Sequence, residues 1–125
     1  MSGGETILGA ILLFLMLLST VIAPVRWDGR LEQLAQERAN QLAQGATFEH
    51  TDYIPSRLAY SGCGLYGEML GRTTGGTIDL FHAFVNSPSH SNIMLGDWDK
   101  MAIALDTSED WQVIIVVVFL GECDG

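Results

Sequence analysis

An unbroken apolar run stands at the start of the chain. Ile7 to Ala23 reads ILGAILLFLMLLSTVIA, 17 residues without a charge, and Thr6 to Val25 extends it to 20. At about 1.5 Å per residue, 20 helical residues reach roughly the 30 Å of a bilayer's hydrocarbon core. The run therefore predicts a transmembrane anchor over 6–25, behind a short tail at 1–5. A cleaved signal peptide is the alternative. It fits less well, because no Lys or Arg precedes the run and Pro24 would stand just after the cut. Trp27 suits a membrane boundary.

The pattern then changes to one of a compact domain, 27–125. Leu31, Leu34, Ala35, Ala39, Leu42 and Ala43 form a helical stripe, with Glu32, Gln36, Glu37, Asn40 and Gln41 on the other side. Asp28 is placed to cap this helix and Gly45 to end it. An irregular stretch follows from Ala46 to Ser56, then a short helical turn over 57–61. Glycines at 62, 64, 67, 71, 75 and 76 leave room only for a short strand near Leu65. Helices are expected over 77–85 and, with Ser87 as cap and Pro88 in the first position, up to Leu95. Strands are expected over 101–105 and 111–120, joined by the turn Thr107-Ser108-Glu109-Asp110. The run VIIVVVFL does not alternate, so it reads as a central strand covered on both faces.

Charge narrows the function. Six Lys and Arg against 15 Asp and Glu give a net charge of −9, which argues against a nucleic-acid surface. There is no Gly-x-Ser-x-Gly elbow, no His-Glu-x-x-His and no phosphate-binding loop ending in Lys. Arg72-Thr-Thr-Gly-Gly-Thr is glycine-rich but reads as a plain loop. His82, at helical spacing from Asp79, reads as half of an exposed pair.

The segments LAQERANQLAQGATFEH, YGEML, AFVNSPSHSNIMLGDWDKMAIAL and WQVIIVVVFLGE, in this order over about 31–122, resemble the CAP superfamily. This group comprises cysteine-rich secretory, antigen 5 and pathogenesis-related-1 proteins, and the chain is most similar to its small bacterial members. Gly67-Glu68 matches the family's Gly-Glu-Asn motif, with Met69 in place of Asn. Ser87-Pro88-Ser89-His90-Ser91-Asn92-Ile93 matches its Ser-Pro-Gly-His-Arg-Asn-Ile helix start, and Phe84 its preceding aromatic residue. The resemblance implies an α+β fold, an α/β/α sandwich with a small antiparallel sheet. It also implies an extracytoplasmic (periplasmic or extracellular) location, and a cavity where His50, Glu68 and His90 converge. The family's second cavity glutamate would fall near Ser87 and is missing. Its first domain helix also has no counterpart if 6–25 is an anchor, which would leave one face of the sandwich under-covered.

Two readings of His50, Glu68 and His90 stay open. They could ligate zinc with one open position, or form a buried hydrogen-bond network that pins loops to helices, the reading favoured by the missing glutamate. Cys63 and Cys123, 60 residues apart, would form a disulfide in an oxidising compartment and stay free thiols in the cytoplasm. Topology carries a conflict. Arg26 and Arg30 would hold the domain inside by the positive-inside rule, whereas the cysteine pair and the resemblance put it outside.

The expected function is a membrane-anchored, non-enzymatic binding or interaction module outside the cytoplasm, with a lipid, a small ligand or a protein as partner. An accessory single-helix subunit of a larger membrane protein complex is the alternative. A metal-dependent hydrolase comes third, since ligands are visible but no placed base is.

Overall fold

The computed structural model describes residues 7–22 and 24–124. The expected tail at 1–5 lies outside them. Four helices and four strands follow in chain order: α1 (Ile7–Leu18), β1 (Arg26–Trp27), α2 (Gly29–Ala43), β2 (Cys63–Thr73), α3 (Thr77–Val85), α4 (Pro88–Met94), β3 (Lys100–Thr107) and β4 (Val113–Cys123). A 3-10 turn, Pro55–Arg57, lies two residues earlier than the turn expected over 57–61. The sheet runs β1-β3-β4-β2. Its long strands pair antiparallel, while the two-residue β1 adds a parallel edge beside β3 that no sequence pattern announced.

The VIIVVVFL strand is central, as expected, and separates two cores. Ile114, Val116, Val118 and Leu120 face α2, whose Leu31, Leu34, Ala35 and Ala39 are fully buried. Val113, Ile115, Val117 and Phe119 face the opposite side with α1, α3 and Met94 of α4. The strand alternation that normally separates core from solvent here separates one core from another. The result is the expected α/β/α sandwich.

Helix α2 starts where its cap predicts: the Asp28 carboxylate accepts from the Leu31 N–H at 2.7 Å. At α4, Ser87 stands in the cap position but makes no side-chain capping bond.

The expectation of a spanning helix over 6–25 is corrected. Helix α1 ends at Leu18, and 19–22 form a turn in which the Ser19 and Thr20 hydroxyls donate to the Met16 and Leu17 carbonyls. Such back-bonding competes with helix continuation, and Pro24 forbids it further on. Ala10, Phe14 and Leu18 on one side of α1 are completely buried. Phe14 meets Phe81 and Phe84 of α3 edge-on, at 6.2 and 5.8 Å between ring centres. No helix among the described residues is long and apolar enough to cross a membrane. The apolar run instead supplies the first domain helix that had seemed missing, and so the face expected to be bare is covered.

The second correction concerns β2. The glycine-punctuated region is an 11-residue strand and not a loop with a short strand near Leu65. Its glycines mark close approaches. A side chain at Gly71 would come within 2.7 Å of Phe84 and 2.9 Å of Ile115. Strand β2 is the outer strand of the sheet, and this position creates the site described next.

Candidate functional site

A cleft of about 390 Å³ opens across the free edge of β2. Because side chains alternate along a strand, Tyr66 and Glu68 point to the α2 side while Gly67 points to the other. One wall is therefore the loop after α2, with His50, Thr51 and Pro55. The other is Ile93 of α4 together with Trp98.

The loop that carries His50 is fastened from beneath by Arg38. This α2 residue is 3% exposed, and its guanidinium donates to the Glu49 carbonyl at 2.7 Å and to Gln41 at 3.3 Å. An arginine can be buried when its donors reach fixed acceptors, and here the acceptor is the residue before His50. His50 then meets Glu68 at 2.6 Å between Nδ1 and Oε1. The pair is asymmetric: the His50 side chain is 61% exposed and that of Glu68 only 5%. The second carboxylate oxygen accepts from the Tyr66 hydroxyl at 2.5 Å. Burial, then the charge and hydrogen bond of Glu68, push the Tyr66 phenol well above its ordinary value.

His90 makes no direct hydrogen bond to His50 or Glu68. It sits on α4, on the side of the sheet opposite Tyr66 and Glu68, with its ring edge-on to Phe84 at 4.9 Å. Its Nδ1 is buried without a hydrogen-bond partner. Burial, and secondarily the charge of His50, lower its pKa, so the imidazole favours its neutral form. His50 and Glu68 are thus in direct contact, and His90 stands near enough to His50 to feel its charge. Both oxygens of Glu68 and Nδ1 of His50 are engaged, and among the described residues no three His, Cys, Asp or Glu are grouped to hold a metal ion. The residues do not fit a three-ligand zinc site.

The aromatic wall is equally specific. Trp98 stacks on Phe119 at 5.4 Å and donates from Nε1 to the Ile93 carbonyl at 2.6 Å. The indole passes over Gly67, at a distance that only a residue without Cβ permits. Cys63 and Cys123 form a disulfide between directly paired residues of β2 and β4, beside the start of the site strand.

Tyr66, Arg38 and Trp98 escaped the sequence reading. A Tyr two residues before a Glu on one strand shares its face, a signal that shows only once the strand near Leu65 extends through Glu68. Arg38 interrupts the apolar stripe of α2, at helical spacing from Leu31, Leu34 and Leu42, and that position was the signal of its burial. Trp98 becomes legible only once Gly67 is known to be a strand position.

A three-layer sandwich with this edge cleft is shared by a family of secretory domains. The chain belongs to the cysteine-rich secretory protein (CAP) family, whose model matches residues 19–120. Helix α1 lies ahead of that match. Among solved structures, the fold is similar to an outer surface protein from Borrelia burgdorferi, with 24% identity and a TM-score of 0.74 over 89% of this chain and 90% of that one. It is also similar to a cysteine-rich secretory protein from Staphylococcus aureus, with 14% identity and a TM-score of 0.76, of which the chain spans 40%. Venom allergen-like protein 4 of Schistosoma mansoni is a third, at 8% identity, a TM-score of 0.72, and coverage of 92% and 90%. No curated protein sequence matches the chain.

Proposed function

We propose that the chain is a non-enzymatic binding module acting outside the cytoplasm, and that the β2-edge cleft takes a small ligand. The observation that carries this reading is the saturation of Glu68. Its two oxygens are occupied by His50 and Tyr66, so the carboxylate serves as a fixed support and not as a free base. What the cleft offers a visitor is one imidazole nitrogen, Nε2 of His50, opposite the apolar surfaces of Ile93, Pro55 and Trp98. A small molecule with one hydrogen-bonding group and an apolar body fits that pairing. The Cys63–Cys123 bond supports an oxidising location, as does membership of a family of secretory proteins.

Backbone NMR during titration with medium-chain carboxylates and alcohols tests this reading. Saturable shifts at His50, Ile93 and Trp98, lost in Ile93→Glu, are the expected outcome. No saturable change in the cleft with any of these probes, or catalytic turnover of their esters, would overturn it.

A second reading, an accessory subunit of a larger complex, has one observation in its favour. On the outer side of α1, Leu12 and Met16 are 53% and 68% exposed, one helical turn apart. Native electrophoresis of gently extracted protein distinguishes a free chain from one that co-migrates with a complex.

A further inference from the structure

A second cleft, of about 430 Å³, lies farther along the same sheet, between the C-terminal end of α2, the far end of β2 and the turn joining β3 to β4. Its floor is apolar, made by Leu42, Phe48 and Ile114. Its two sides carry opposite charge.

On one side stands Arg72. The even positions of β2 face α2, and Arg72 pairs across the ladder with Ile114. Its guanidinium lies 4.6 Å over the Phe48 ring. No carboxylate is within ion-pair distance of it among the described residues, in a chain with 15 acidic residues to choose from. A guanidinium held by its face against a ring keeps its edge N–H groups available, and their fork matches a carboxylate.

On the other side stand Glu109 and Asp110, and with them the end of α2. Asp110 accepts a hydrogen bond from the Ser108 hydroxyl, whereas Glu109 makes no hydrogen bond or ion pair among the described residues. The last turn of α2 contains no basic residue, and backbone N–H groups of residues 44–46 cap its Asn40, Gln41 and Leu42 carbonyls, so this wall offers no positive side chain. A simple anion would be drawn to Arg72 but repelled by this wall. A simple cation would meet the reverse.

We infer that this cleft binds a zwitterion of the amino-acid class, a free amino acid or short peptide with an apolar side chain. The carboxylate pairs with Arg72, the ammonium with Glu109, and the side chain rests on Leu42, Phe48 and Ile114. This site is distinct from the His50 cleft, so each proposal can fail without the other.

The test is NMR titration with the dipeptide leucyl-leucine and two blocked forms. N-acetylation removes its ammonium, and C-terminal amidation removes its carboxylate. The free dipeptide is expected to shift Phe48, Arg72 and the Glu109 turn saturably, with each blocked form at least tenfold weaker. Arg72→Gln and Glu109→Gln should each weaken the free dipeptide at least tenfold. Glu109 lies in an exposed turn, so its variant reports even if the strand substitution disturbs folding. Equal binding of either blocked form, or no saturable binding of the free dipeptide, overturns the inference.

Discussion

Trp98 and Gly67 are fitted to each other: a Cβ at Gly67 would lie 2.7 Å from two ring carbons of the indole. The ring cannot simply swing aside, because it is stacked on Phe119 and hydrogen-bonded to Ile93. Gly67→Ala should therefore cost about 1–3 kcal/mol, the usual range for overpacking. It should also change the near-ultraviolet circular dichroism of the indole. A variant with wild-type melting and spectrum would show that this wall of the cleft is loosely held.

Phe14 offers a direct measure of what α1 does. Its completely buried ring stands against Phe81 and Phe84, so Phe14→Ala should destabilise the whole domain by about 3–5 kcal/mol. Denaturant unfolding followed at the tryptophans measures this. A membrane anchor outside the domain would give no change.

Cys63 and Cys123 join residues 60 apart in the chain. Loop-closure entropy puts the bond's contribution at about 4 kcal/mol. Mass spectrometry should find the two thiols linked before reduction. Replacing both with Ser should lower the melting temperature substantially in non-reducing buffer and make it insensitive to reductant.

Stability should decline at both ends of the pH range, from different groups. The Tyr66 phenol is raised above its ordinary value of 10, first by burial and then by Glu68. Its share of stability is complete below about pH 10 and is lost as pH rises from there towards the folded value, because the unfolded chain ionises first. Tyr60 is raised in the same direction, by burial and by Asp28. Tyr66→Phe should therefore shrink the alkaline decline without abolishing it.

The imidazole of His90 is lowered from its ordinary 6.5, first by burial and then by His50. Here the sign reverses. Stability is complete above about pH 6.5 and is lost as pH falls through the folded value, since the unfolded chain takes up the proton more readily. Chemical denaturation between pH 4.5 and 8 should show a shallower acid limb in His90→Gln. An unchanged slope would mean that His90 is solvated.

Elements defined by local periodicity were legible from residues alone. The stripe from Leu31 to Ala43, the Asp28 cap, the Thr77 helix and the two-sided VIIVVVFL strand all stand where the sequence places them. Each depends on neighbours within a turn of helix or along one strand. The family motifs likewise located His50 and Glu68 before any geometry was available.

Tertiary packing decided the rest. The apolar run at 7–18 is equally suited to lipid or to a protein core, since hydrophobicity carries no address. Phe81, Phe84 and the open face of the sheet chose the core. Glycines at 67 and 71 imitate a loop until Trp98 and Phe84 are seen pressing on a strand. The motifs named His50, Glu68 and His90 but not the contacts that each makes. The alternation of β2 puts Tyr66 and Glu68 on one face, where the Tyr66 hydroxyl closes the carboxylate, while α4 sets His90 against Phe84. These outcomes turn on contacts between segments far apart in the chain, which a one-dimensional pattern does not encode.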